Sequence, residues 1–409
     1  MKDRVASSQY LFAPSSPTTD SRLQTTGYWL LTIYCLLLAT GYWLLTTVTV
    51  WAGPPDVLKV GVIGPETGEE AELGLMTLDG VELAVQDINS KGGINGRKVE
   101  VIHYDTRGSG VTAQNAIAKL IREKIIAIIA SPSGWSTFAP VWMVNESRTI
   151  FISAGSRRHI GRSGPYIFRV SLPDEVATQD TIKYCVEKLG FKRFAIITSM
   201  MDDEYSLSLG GLYRRAVMNK GGQIVAEAHL FLDETINEAI SRMKKEAKGP
   251  IDAIIFTGDD GSALTVLKEA RKQGLKAPLI GGEELYREEF LKGGEMVDGS
   301  ILYSSFASED TSPQAIKFIQ SYKKKRGKNP TGLVALGYDS FMLVAKAAQI
   351  AGSFEPPKVR DALARIKAFQ GITGKIDIGP DGETIIHPLI LRVEKKGMGY
   401  GFSLVNPAP

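Results

Sequence analysis

Beyond residue 56 the chain alternates between short apolar runs and longer stretches with helical spacing. VLKVGVIG (57–64) is continuous and β-branched, the pattern of a strand buried on both faces. In DGVELAVQDINSKGG, residues Val81, Ala84, Val85 and Ile88 recur on one helical face, and Gly92-Gly93 ends the helix. VEVIHYD then predicts a strand, TAQNAIAKLIRE a helix, IIAIIA a strand, 136–147 a helix and TIFIS a strand. The alternation restarts at FKRFAIITS (191–199) and runs through a helix at 205–220, the strand QIVAEAHL, a helix at 234–247, the strand IDAIIFTG, a helix at 261–274 and the strand APLIGG. Helical patterns follow over 313–326, 332–351 and 356–368, and GKIDIGPDGETIIHPLILRVE predicts a hairpin turning at Pro380-Asp381-Gly382.

Strands that alternate with helices need right-handed crossovers, which give parallel sheets covered on both faces. The two series therefore predict an α/β protein of two doubly wound parallel-sheet lobes. Ligands of such sheets bind beyond the carboxyl ends of the strands. That rule selects the loops at 64–74, 131–137, 153–159, 199–206, 258–262 and 281–286. They come from both lobes, so the expected site is the cleft between them.

The N-terminal segment has a different pattern. No charged residue occurs from Leu23 to Pro55, and TGYWLLT appears twice, at 26–32 and 40–46. Its apolar part, 28–51, is long enough to span a bilayer as a helix. Lys2, Arg4 and Arg22 precede it, and Val50 and Ala52 place small residues at −3 and −1 of a cut before Gly53. Residues 1–52 are thus expected to be a signal peptide or an N-terminal anchor, and the remainder to be exported to the periplasm or the outer face of the cytoplasmic membrane. Net charge is +3 over 409 residues, which offers no electrostatic footprint for nucleic acid. Of the two cysteines, Cys35 lies in the apolar stretch, so removal of the leader leaves Cys185 without an intramolecular partner. Cys185 reads as a small buried hydrophobe.

The loops carry the candidate chemistry. Ser133-Gly134-Trp135-Ser136 stands just ahead of a predicted helix, where free N–H groups and hydroxyls suit a carboxylate; plain helix capping is the alternative. Arg157 and Arg158 at a strand end can clamp an acid group or lie in solvent. Glu283, with Asp259 and Asp260 in a neighbouring loop, can hold an ammonium by a charge-assisted hydrogen bond. Tyr205 can supply a ring and a hydroxyl. No G-x-G-x-x-G or Walker loop is present, and His103, His159, His229 and His387 are too scattered for metal spacing. No catalysis, cofactor or metal is expected. KKKRGK (323–328) reads as a solvated helix end.

LKVGVIGPETG, DGVELAVQDINSKGGINGRKVEVIHYDT, FKRFAIIT and LVALGYDSFMLVAKAAQIAGS together give a likeness over about residues 56–405. They resemble the periplasmic leucine/isoleucine/valine-binding protein family, type I periplasmic binding proteins that serve branched-chain amino acid ABC importers. The resemblance implies two lobes joined by three crossovers, near 170–174, 303–307 and 376–387. It implies an N-terminal lobe of 57–173 and 306–380 and a C-terminal lobe of 174–305 and 381–409. It also implies a ligand α-carboxylate held by the loop at Ser133, Gly134, Trp135 and Ser136 and by Gly155, Ser156 and Arg157. Glu283 would take the α-ammonium, Tyr205 would line the second lobe, and Asp174 would be an acidic hinge residue. Departures stand out: Gly134 replaces a usual serine, Arg157 a threonine, Leu73 a first-loop aromatic, and Asp259 or Asp260 a second-lobe aromatic.

These features make the chain an expected monomeric solute-binding protein, closing by a hinge on an amino acid or related small organic acid or amide and docking on ABC permease subunits. A membrane-tethered ligand-binding sensor is the alternative. An enzyme on a doubly wound fold is a third reading that no motif supports.

Overall fold

The structure, a computed structural model, describes residues 57–133, 141–157, 159–199, 204–230 and 235–405. The expected signal or anchor at 1–52 lies outside them. The first sheet has the order β2-β1-β3-β4-β5 and is parallel throughout. Its strands are β1 (Leu58–Gly64), β2 (Val99–Asp105), β3 (Ile128–Ala130), β4 (Phe151–Ala154) and β5 (Ile167–Val170). The second sheet combines β6 (Arg193–Ser199), β7 (Gln223–Leu230), β8 (Ala253–Thr257), β9 (Leu279–Gly281) and β10 (Ile301–Ser304), all parallel, with β14 (Leu389–Lys396) and β15 (Gly399–Leu404) antiparallel at one edge. A small antiparallel sheet holds β11 (Phe369–Gly371), β12 (Gly374–Ile378) and β13 (Thr384–Ile385).

The expected doubly wound lobes are present, with one change. The second sheet is mixed, because PLILRVE forms β14 and pairs with β10 and β15 instead of with the strand across the Pro380 turn. β12 takes the short β13 as its hairpin partner. Gly382 is required in that turn: its φ is +77°, and a Cβ there would stand 2.4 Å from the Ile167 carbonyl oxygen.

The chain crosses between the sheets after β5, after β10 and between β13 and β14. After the second crossing, the helix Pro313–Arg326 and the helix Gly332–Ala351 return to the first lobe. They pack against the helix Ala71–Ser90. The approach is close: a Cβ on Gly80 would lie 2.2 Å from the Val334 carbonyl oxygen, so any side chain at 80 would force these helices apart. The helix Gly332–Ala351 is apolar enough by length and composition to cross a membrane, but 72% of its most apolar stretch is buried in this packing.

The basic run at 323–328 contributes to the same contact. Arg326 Nε donates to buried Asp79 at 2.7 Å, and Lys325 Nζ reaches Glu82 at 2.6 Å. Its latter half is therefore docked on the helix Ala71–Ser90, where the sequence suggested plain solvation. Inside the long helix, the Asp339 carboxylate is fully buried and accepts from the N–H groups of Ile372 and Thr373 and from the Thr373 hydroxyl, each within 2.8 Å. Asp339→Ala would strand these donors in the interior. We expect a loss of about 3 kcal/mol or more in urea-melt stability. Cys185 is buried, and burial pushes its thiol up to about 12, which makes it unreactive at neutral pH.

The third crossing is anchored by a buried ion pair. Arg169, on β5, is 1% exposed and pairs through Nε with Glu383. The other Glu383 oxygen accepts the Gly161 N–H at 2.7 Å, and Arg169 Nη1 donates to the Ser156 carbonyl at 2.8 Å. His159 stands beside the pair, 3.3 Å from Glu383 and 3.5 Å from Glu175. Residues 381–385, assigned from the sequence to the second lobe, are thus hydrogen-bonded to the first.

Candidate functional site

Where the first crossing meets the strand ends, a pocket opens between the lobes, with about 400 Å³ of empty space including its mouth. The first lobe contributes Gly155, Arg157 and Leu336 to its walls. Ser171 and Leu172 come from the end of β5, and Asp174 starts the helix Asp174–Glu187. The second lobe adds Tyr205, Glu283, Glu284 and Tyr303. The site therefore forms where the carboxyl ends of parallel strands from two sheets converge.

Glu283 sits in a single 3₁₀ turn just after β9. The hydroxyls of Ser305 and Ser304 lie 2.8 and 2.9 Å from its Oε1. The same oxygen lies against Gly332, where a Cβ would stand 2.1 Å away. No larger residue fits at 332 without displacing the carboxylate. Gly332 opens a twenty-residue helix, whose N-terminal dipole favours a negative group. Burial pushes the Glu283 carboxyl above its ordinary range, although the two serine hydroxyls pull it back. The group thus gains from any cation brought beside it.

Arg157 reaches from the first-lobe loop to Glu284 of the second, and its guanidinium stacks 4.3 Å from the centre of the Tyr205 ring. Its side chain is 53% exposed at the pocket mouth. The Tyr205 hydroxyl donates to Asp174 at 3.1 Å. Burial pushes Asp174 up to about 6; Arg157 and the Tyr205 hydroxyl oppose that rise, while Glu284 and Glu175 add to it. Burial, followed by the charge of Asp174, also raises the Tyr205 phenol, so that it stays protonated and able to donate.

Of the residues singled out from sequence, the structure brings Gly155, Arg157, Asp174, Tyr205 and Glu283 together around one pocket. Ser156 lies beneath it, buried, with its carbonyl on Arg169. Ser133 is buried beside Ser131, 3.4 Å between hydroxyls, and does not line the pocket. Gly134, Trp135, Ser136 and Arg158 lie outside the described residues. Asp259 lies outside the lining of this pocket. It is exposed and caps the helix Asp260–Lys272, accepting from the Ser262 N–H at 2.8 Å and hydroxyl at 2.9 Å. Asp260, in the first turn of that helix, is also absent from the lining.

Glu284, Tyr303, Ser171, Leu172 and Leu336 were not singled out. Two signals were available: Glu284 adjoins Glu283 in a strand-end loop, and Tyr303 begins an expected crossover.

Comparison with known proteins places these features among others of similar sequence and shape. The sequence profile described as Periplasmic binding protein matches residues 57–397. A leucine-, isoleucine-, valine-, threonine-, and alanine-binding protein of Pseudomonas aeruginosa is 25% identical over 333 residues, covering 80% of this chain and 87% of that protein. A crystal structure of a leucine binding protein from Thermotoga maritima superposes with a TM-score of 0.67 at 27% identity, covering 86% of this chain and 99% of that one. The substrate binding protein of a branched-chain amino acid transporter from Streptococcus pneumoniae, solved with isoleucine, gives a TM-score of 0.67 at 25% identity and covers 86% of this chain and all of that one.

Proposed function

Because the chain belongs to the periplasmic binding protein family and has its type I fold, we propose that it is the extracytoplasmic solute-binding component of an ABC importer and takes an amino acid in the cleft between its lobes. The observation that carries this reading is Glu283. Its carboxylate lies at the junction of the lobes with neutral hydroxyls as its hydrogen-bond donors. An α-ammonium placed there supplies the missing cation by a short, charge-assisted bond. The relatives' names support the same class, since each is named for amino acids that it binds or transports.

A ligand seated between Glu283 of the second lobe and the first-lobe loops touches both lobes at once. Such a ligand binds the closed arrangement better than the open one and shifts the population toward it by hinge motion at the crossings. The closed, liganded form is then the one offered to the permease. Residues 1–52 serve export, as a signal peptide or an anchor.

The test is a thermal-shift screen of the purified protein against the L-amino acids. A ligand at a hundred times its Kd stabilises by about 2.7 kcal/mol, enough to raise Tm by several degrees. A rise with at least one amino acid is expected. No rise with any of them contradicts the reading.

A further inference from the structure

The charge of the described residues that line the pocket does not balance for a neutral zwitterion. Among the described residues, its lining holds three carboxylates, those of Asp174, Glu283 and Glu284, and a single cation, Arg157. Arg157 is paired with Glu284. One acid, Glu283, is assigned above to the α-ammonium. That leaves Asp174, which accepts a hydrogen bond from the Tyr205 phenol and shares the field of Arg157 with Glu284. The same lining includes the apolar or aromatic side chains of Leu172, Leu336 and Tyr303. Leucine side chains suit a methylene chain, and a tyrosine ring suits the cation at its end.

Resting on the amino-acid reading, we propose that the ligand is a basic α-amino acid: its α-ammonium lies on Glu283, its aliphatic stem on Leu172 and Leu336, and its distal ammonium or guanidinium on Asp174. The net charge of the described lining residues, −2, falls to −1 with such a ligand and stays at −2 with leucine. Charges outside the pocket also act here, but these groups line it themselves, where attraction to a bound ligand is screened least.

Asp174 also gives the preference a pH signature. The groups facing it are Arg157 on the loop after β4, Tyr205 on the helix Glu204–Asn219, Glu284 after β9 and Glu175 on its own helix. Its carboxyl is pushed up to about 6, so it is ionised at neutral pH and loses its charge below that. The distal cation then loses its partner, whereas any change at Glu283 acts on the α-ammonium of every amino acid alike.

The experiment is calorimetric titration of the purified protein with L-lysine, L-arginine, L-ornithine and L-leucine. At neutral pH the tightest basic amino acid should bind at least roughly tenfold more tightly than leucine. Asp174→Asn should shrink that preference to about threefold or less. In the wild-type protein, lowering the pH to about 5 should shrink the preference in the same way, which keeps the test decisive if Asp174→Asn does not fold. Leucine binding as tightly as every basic amino acid overturns this proposal and leaves the amino-acid reading standing. A preference for basic ligands that persists at low pH and in Asp174→Asn overturns the role of Asp174. No binding by any of the four, together with no response in the wider amino-acid screen, overturns both.

Discussion

Glu283→Ala is expected to weaken amino-acid binding by about 2–5 kcal/mol, a loss of roughly thirtyfold to several thousandfold. The reason is the charge left without a partner: an α-ammonium drawn into the pocket would face only the Ser304 and Ser305 hydroxyls, which serve Glu283 in the intact protein. The same substitution should not unfold the protein. Burial raises the Glu283 carboxyl in the ligand-free fold. For an acid whose folded pKa is raised, the contribution to stability is full below the unfolded pKa and is lost as pH rises through the folded one. At neutral pH Glu283 therefore costs the empty protein stability. Glu283→Ala should leave Tm unchanged or higher while binding is lost, a pairing often found at functional positions. An unchanged affinity would remove Glu283 from the site.

Arg169→Met is the second large effect, and it acts on folding. It removes the guanidinium from Glu383, 7% exposed, and leaves a buried carboxylate with only the Gly161 N–H and the His159 ring beside it. Breaking a buried pair from one side costs about 3–5 kcal/mol, which urea denaturation will read as a lower midpoint with a similar slope. Adding Glu383→Leu should recover most of that loss, because an apolar pair of similar size is often as stable as the ions it replaces. If the double variant is no more stable than Arg169→Met, the penalty does not come from the stranded charge. Arg169 also holds the Ser156 carbonyl at 2.8 Å, one residue from Arg157. The single variant should therefore weaken ligand binding beyond its effect on stability.

Much of this fold could be read directly from the sequence, for a physical reason. A strand in a parallel sheet is covered on both faces, so IIAIIA and IDAIIFTG appear as unbroken apolar runs, and the helices between them show one apolar face. The helices Pro313–Arg326 and Gly332–Ala351 begin and end where expected, each closed by a glycine in the left-handed region, Gly327 at φ +72° and Gly352 at +56°. What local pattern does not contain is the partner. PLILRVE reads as a strand, but whether it pairs across Pro380-Asp381-Gly382 or with β10 depends on contacts far along the chain.

The site divides along the same line. Strand-end logic brought Arg157, Tyr205 and Glu283 to one cleft, because topology alone delivers those loops there, while Asp174 came from the family resemblance. It could not give the direction of side chains on short turns. Asp259 turns back to cap its own helix, and Glu284 turns inward to take Arg157. The buried Arg169–Glu383 pair left no trace in the sequence, where it is two isolated charged residues far apart.

The most direct measurement is a calorimetric comparison of the amino acid that binds most tightly with its deamino analogue, identical except for a hydrogen in place of the α-amine. One amino acid should bind per chain, and the analogue should be weaker by about two orders of magnitude or more, since the Glu283 charge would be buried without its partner. Equal affinity for the two would contradict that role of Glu283.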